Sequence, residues 1–150
     1  MNTLTTFIPG KVVSWKRNRV HKGRTFRDSE GIAYRKVVAT FARAACPVQQ
    51  LQAPIRVTLL IGYKRPGSRP KLKSGTIPAE AWASGQRVLF PSTNGHDIDR
   101  LQGNVYDGLS DAGVIGDDGH IVGCEVIKFY VAVGEVPGLT LTVEECGWLI

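Results

Sequence analysis

An α/β (α+β) single domain is the fold this sequence predicts: a mixed sheet of about four strands packed with two main helices, in the order β-α-β-α-β-β. Three observations predict it. The chain has 150 residues, 43% of them hydrophobic and 21% charged, which is enough apolar side chain at that length to bury one sizeable core. The run IRVTLLIGY at 55–63 is rich in β-branched residues and reads as a central strand. Segments with apolar residues at helical spacing lie before and after it, which implies helices packed on one mixed sheet.

Taken in order, NTLTTFI at 2–8 alternates loosely and suits a first strand, ended by Pro9-Gly10. The basic segment after it has no sustained period and reads as a loop or mobile arm. Asp28 or Ser29 caps a helix from about Glu30 to Ala45, with Ile32, Val37, Val38, Phe41 and Ala45 on its apolar side and Pro47 as its stop. After the central strand comes a basic, Pro/Gly-rich insertion at about 64–96; so long a connection inside one domain is functional or disordered. A short helical turn fits around AEAWA at 79–83. From Asp97 to about Ala112 a second helix fits, since Leu101, Val105 and Leu109 recur at i, i+4 and i+8, although Gly103 and Gly108 weaken it. AGVIGDDG at 112–119 is a turn with Gly113 as the helix stop. HIVGCEVIKFYVAV (120–133) and GLTLTVEE (138–145) are the last strands, and GEVPG between them predicts an antiparallel pair.

Composition removes several classes of function. No 18-residue apolar run exists to span a bilayer, and the first residues lack the basic start and apolar stretch of a signal peptide. Cys46, Cys124 and Cys146 are far apart with no C-x-x-C pair, which argues against zinc and a disulfide framework and for a reducing, cytoplasmic setting. Charge is divided along the chain. Residues 1–96 hold 17 Lys/Arg against 3 Asp/Glu, whereas residues 97–150 hold 2 against 10. The bases gather further, nine within 11–36 and six within 64–87. Solvated surface is the ordinary explanation of such runs. Two clusters interleaved with Trp15, Phe26 and Tyr34 point instead to a polyanion, because each neutralised phosphate releases counterions.

Against this background the stretch HDIDRLQG at 96–103 is unusual. Asp97 at a helix N-cap and Asp99 in its first turn place two like charges together. The bland account is that a carboxylate there accepts backbone N–H bonds and opposes the helix dipole. Asp117 and Asp118 have an equally bland account as turn formers, and Asp107 and Asp111 read as an exposed helical face. If Asp97, Asp99 and Asp118 meet, however, they form an oxygen-only site suited to Mg²⁺ or Mn²⁺. Beside basic flanks, such a site means phosphodiester chemistry. Spacing alone leaves open whether the turn returns Asp118 to Asp97.

DIDRLQGNVYDGLSDAGVIGDD (97–118) resembles, without a gap, the signature of the RusA family of Holliday junction resolvases: D-[IL]-D-N-L-x-K, then D-[AG]-L, then a D-D pair ahead of a strand. NRVHKGRTFRDSEGIAYRKVV (18–38) is similar to the family's N-terminal region, where a basic loop leads into S-x-E-G-x-A-Y-R. The resemblance covers about 1–63 and 97–145. It implies a homodimer that cuts branched DNA with Mg²⁺ (or Mn²⁺), leaving 5′-phosphate and 3′-hydroxyl ends, in a phage or prophage protein acting in the bacterial cytoplasm. Asp97, Asp99 and Asp118 match the catalytic acids and Asp117 the neighbouring one, all four being candidate metal ligands. The candidate phosphate contacts are Lys16, Arg17, Arg19, Lys22, Arg24 and Arg27 in the first basic cluster, Lys64, Arg65, Arg69, Lys71 and Lys73 in the second, and Arg100.

Three positions depart from the pattern. Gly103 stands where the family has lysine, Arg100 where it has Asn, and Gly95-His96 where it has a basic lead-in. A lysine at 103 would stabilise the charged transition state. Without it, Arg100 substitutes, a base from 64–87 swings in, or cutting is slow or lost. The last option defines a rival: a branched-DNA-binding protein with the same fold and no turnover. An RNA-directed nuclease is a more remote one. His96 and His120 flank the acids and read as exposed loop histidines, with proton transfer the sharper alternative. Trp82 in the insertion either stacks on an unpaired base or anchors the loop.

Overall fold

Alternating burial along the first strand sets the orientation of everything that follows. In the computed structural model, which describes residues 1–14, 19–26, 28–72, 75–91 and 97–150 with the side chains of Arg19, Thr25 and Phe26 left aside, β1 (Thr3–Pro9) turns Leu4 and Ile8 fully inward. The basic segment then forms a small hairpin of β2 (Arg19–His21) and β3 (Arg24–Phe26), a correction to the expected loop. Its turn uses Lys22 and Gly23, both at positive φ, the conformation a two-residue hairpin requires. α1 (Ser29–Ala45) starts where Asp28 accepts a hydrogen bond from the Gly31 N–H at 3.1 Å, and ends at Cys46 before Pro47.

β4 (Ile55–Tyr63) follows. The insertion beyond it contains a hairpin of β5 (Lys71–Leu72) and β6 (Gly75–Thr76), the helical turn α2 (Ala79–Ala83), and β7 (Val88–Leu89). α3 (Ile98–Asp111), β8 (Ile121–Tyr130) and β9 (Gly138–Glu145) complete the chain. The main sheet runs β1-β9-β4-β8-β7, with β4 parallel to β8 and antiparallel to β9. The expected β8–β9 hairpin is therefore wrong: β4 lies between them. Its inward row Ile55, Val57, Leu59 and Ile61 is wholly buried, and a strand that apolar gains most from a neighbour on each side. The connection at 131–137 steps over one strand, about 10 Å.

α1 and α3 cover one face of this sheet and share its core. The buried side of α1 is Gly31, Tyr34, Val38 and Ala42. Ile32 and Val37, expected inside, are 40% exposed, because the helix crosses α3 along its 34/38/42 row. Gly108 explains the closeness of that crossing. A Cβ there would stand 2.9 Å from the Arg35 carbonyl oxygen, so the glycine that weakens α3 locally allows the two backbones to approach. Asn104, 1% exposed in α3, donates to the carbonyls of Val13 at 2.8 Å and Gly31 at 3.2 Å. Removing a buried donor that serves two carbonyls costs about 1–3 kcal/mol. The variant Asn104→Ala should accordingly unfold at lower urea, and an unchanged midpoint would show that Asn104 holds nothing together.

Candidate active site

Asp97 is the N-cap of α3, yet its side chain makes no capping hydrogen bond. The bland account of this residue therefore lacks its main support. The carboxylate is half exposed and stands 4.0 Å from the Arg100 guanidinium one turn on. Asp99 points to solvent in the first turn, and no residue among those described pairs with it. The start of α3 thus presents two adjacent carboxylates with lone pairs facing outward.

A third group joins them from the sheet. The Tyr106 hydroxyl lies against the Cys124 thiol and the Gln102 amide, which ties α3 to β8. Because α3 connects the parallel strands β4 and β8, it runs back antiparallel to them. Each step of four residues back along the helix covers about 6 Å, close to two residues along a strand. Positions 106, 102 and 98 therefore run level with 124, 126 and 128, and Lys128 arrives at the helix start. Its carbonyl accepts from the Phe90 N–H at 3.0 Å, and its Nζ lies 5.9 Å from the Phe90 ring centre. Partial burial pushes the Lys128 ammonium below the ordinary lysine range, while the Asp97 carboxylate pulls it back toward the charged form. The motifs did not reveal this residue. One signal was available: Arg100 and Lys128 are the two bases of the acidic half, and both stand at Asp97.

The other acids lie elsewhere. Asp117 accepts from the Gly119 N–H at 2.7 Å and caps the 3₁₀ turn Asp118–His120, so it is a turn former here. Asp118 is exposed in that turn, as is His120. Asp111 takes a two-pronged contact from Arg35, and Asp107 lies 3.7 Å from the same guanidinium; this pair ties α1 to α3 and holds the Asp111 carboxyl below its usual range. α3 has 14 residues, so Asp118 at its far end is separated from Asp97 and Asp99 by about 20 Å. The chain reverses after the helix and enters β8 at the end of the sheet opposite Lys128. Among the described residues of one chain, no three acids, histidines or cysteines come together as a metal site. The single-chain cluster of Asp97, Asp99, Asp117 and Asp118 is split into two pairs.

The bases divide as well. Lys22, Arg24, Lys64 and Lys71 are exposed, and Lys11 and Lys64 rim a cavity of about 430 Å³ lined by Tyr63, Phe90 and Tyr130. Arg65 instead donates to the carbonyls of Trp82 and Gln86 and stacks on the Trp82 ring at 3.8 Å. Arg69 donates to the Ile77 carbonyl at 3.1 Å. Trp82 meets Tyr130 edge-on at 5.7 Å. These contacts make Trp82 an anchor of the insertion on β8, with Arg65 and Arg69 bracing the insertion on itself. Lys16, Arg17, Arg27, Lys73 and His96 lie outside the described residues, as does the side chain of Arg19.

Comparison with known proteins gives this arrangement a family. The model of the endodeoxyribonuclease RusA family matches residues 9–144. The chain belongs to that family. Three RusA-family relatives named crossover junction endodeoxyribonuclease RusA, from Escherichia coli strain K12, Shigella sonnei strain Ss046 and Enterobacteria phage 82, are each 26% identical over 142 residues. Those 142 residues are 95% of this chain and 96% of each relative. The match to the RusA family thus takes in both long helices, the sheet and the insertion between β4 and α3, and it makes this chain a nuclease of the phosphodiester-hydrolysing kind.

Proposed function

We propose that this protein is a Mg²⁺-dependent endodeoxyribonuclease that resolves Holliday junctions or related branched DNA in recombination and repair, and that it works as a homodimer. It acts in the bacterial cytoplasm as a phage or prophage protein, a reading supported by the names and sources of its relatives. The observation that carries the reading is the Asp97 carboxylate, which sits at a helix N-cap without capping it and has the solvent-facing Asp99 beside it. Two hard oxygen donors of this kind suit Mg²⁺ or Mn²⁺, and Asp118, exposed in its turn, is a third. A bound ion supplies the positive charge that polarises the phosphoryl oxygen and lowers the pKa of the attacking water. Exposed bases hold the strand: Lys22 and Arg24 on one hairpin, Lys64 and Lys71 on the insertion, and Arg100 at the helix start.

The division of the acids between two ends of α3 is what makes the dimer part of the chemistry. On its outer side β8 pairs with β7 through Phe129 and Tyr130, and the Lys128 carbonyl accepts from Phe90, so among the described residues the edge at 121–127 is open, with Val122 65% exposed on it. Two copies pairing antiparallel through that edge, about a two-fold axis near Cys124, set the start of one β8 opposite the end of the other. Asp118 of the partner subunit then comes to the end that carries Asp97, Asp99 and Lys128. An unpaired strand edge is an interface in waiting, and a two-fold contact uses the same patch on both copies.

Gly103 supports a second reading, in which the protein binds branched DNA and has lost turnover. A labelled four-way junction incubated with the protein in Mg²⁺ and in EDTA distinguishes the two. Paired nicks that need Mg²⁺ are the expected result. Binding without nicks, in Mg²⁺ or Mn²⁺, would overturn the nuclease reading in favour of the binding protein.

A further inference from the structure

We propose that Lys128, projecting from β8, supplies the positive charge at the scissile phosphate that position 103 of α3 does not. The proposal rests on the nuclease reading and names a catalytic residue for it. Gly103 lies one helical turn beyond Asp99, and a Cβ built there meets nothing within 4 Å. The helix face beside the acids is therefore open and holds no cation of its own at that point. Lys128 comes to Asp97 from the strand below, within reach of that carboxylate's charge. The Tyr106–Cys124 contact and the Phe90–Lys128 backbone bond fix the strand on two sides of it, so its Cα cannot slide along the helix. Its stem is half buried and its Nζ stands near the Phe90 ring, which limits the rotamers available to the ammonium. Arg100 stands at the same acids but on the exposed helix surface, at 4.0 Å from Asp97, where a solvated ion pair is weakly held. A charge that must meet a transition state does most when it is already in place and partly shielded from water. That description fits Lys128 and not Arg100.

In the step itself the oxygen of water bonds to phosphorus and the P–O3′ bond breaks. The bonding pair goes to the 3′ oxygen. The water's proton leaves to solvent, and the 3′ oxygen takes a proton from solvent, leaving a 3′-hydroxyl and a 5′-phosphate. Lys128 donates hydrogen bonds to the phosphoryl oxygens as negative charge builds on them and is unchanged at the end.

The test is single-turnover cutting of a labelled four-way junction in Mg²⁺, with junction affinity and melting temperature measured on the same preparations. Lys128→Gln should cut about a hundredfold more slowly or worse, the usual effect of losing one such donor, with junction Kd within about threefold and the fold intact. Lys128→Arg should keep most of the rate. The double variant Lys128→Gln with Gly103→Lys should recover at least about tenfold, because the open space at 103 lets a lysine reach the same acids from the helix. Cutting by Lys128→Gln within threefold of the unaltered protein would overturn the proposal. So would a slow Lys128→Gln that neither the arginine nor the lysine at 103 improves, since the residue would then be serving the fold. If the unaltered protein itself does not cut, the nuclease reading fails first and takes this proposal with it, a result plainly distinct from a defect confined to Lys128→Gln.

Discussion

Asp99→Asn abolishes junction cutting while junction binding stays the same or tightens. The expected loss is about a thousandfold or more, because the charge stabilisation a divalent ion provides is worth several kcal/mol and every 1.36 kcal/mol is a factor of ten in rate. Binding should survive for a separate reason. Asp99 is exposed in the first turn of α3 with no described partner, so asparagine breaks no contact that holds the protein together. Removing a negative charge from beside a phosphate also lessens repulsion, which raises affinity most at low salt. Measuring both quantities on one junction, across a salt series, checks the assignment. If Asp99→Asn cuts at the full rate, Asp99 is not at the reacting phosphate.

The contrast between Asp99 and Asp117 shows how far a sequence carries such an assignment. The second long helix was legible because its signals are local: an aspartate at the cap, apolar residues four apart, and a glycine at the stop. The acidic pair at its start was legible for the same reason. Whether Asp97 caps its helix was not, since a cap and a metal ligand call for the same residue in the same place; the structure shows no cap bond and an ion pair with Arg100 instead. Asp117, by contrast, is held by Gly119 in a turn, as its bland account had it. Non-local facts were out of reach. The β8–β9 pairing failed because the buried run at 55–63 takes the place between them. Asn104 and Lys128 escaped notice for a related reason: a lone polar residue on a helix or strand acquires meaning only from the element across from it. Gly108 read as a weakness until the Arg35 backbone beside it was known.

Mixing two inactive subunits should restore cutting. Asp99→Asn and Asp118→Asn chains, carrying different tags and co-expressed, give a mixed dimer that is purified through both tags. If each site takes Asp97 and Asp99 from one chain and Asp118 from the other, one of the two sites in the mixed dimer contains both substitutions and the other contains neither. The mixed dimer then nicks one strand of a junction at close to the rate of a single native site, while both parent homodimers are dead. The physical basis is the length of α3. Fourteen residues at 1.5 Å hold the two pairs of acids about 20 Å apart in any one chain, and no rotamer change closes such a gap. A site contained in a single chain would leave both halves of the mixed dimer defective, so a mixed dimer that binds junctions and does not nick them defeats the shared site. Because the assay asks for the return of activity, a misfolded variant cannot imitate the expected result. Placing a charged substitution on the open edge of β8, such as Val122→Glu, provides an independent reading of the same geometry: dimerisation and cutting should fall together, with the monomer still folded.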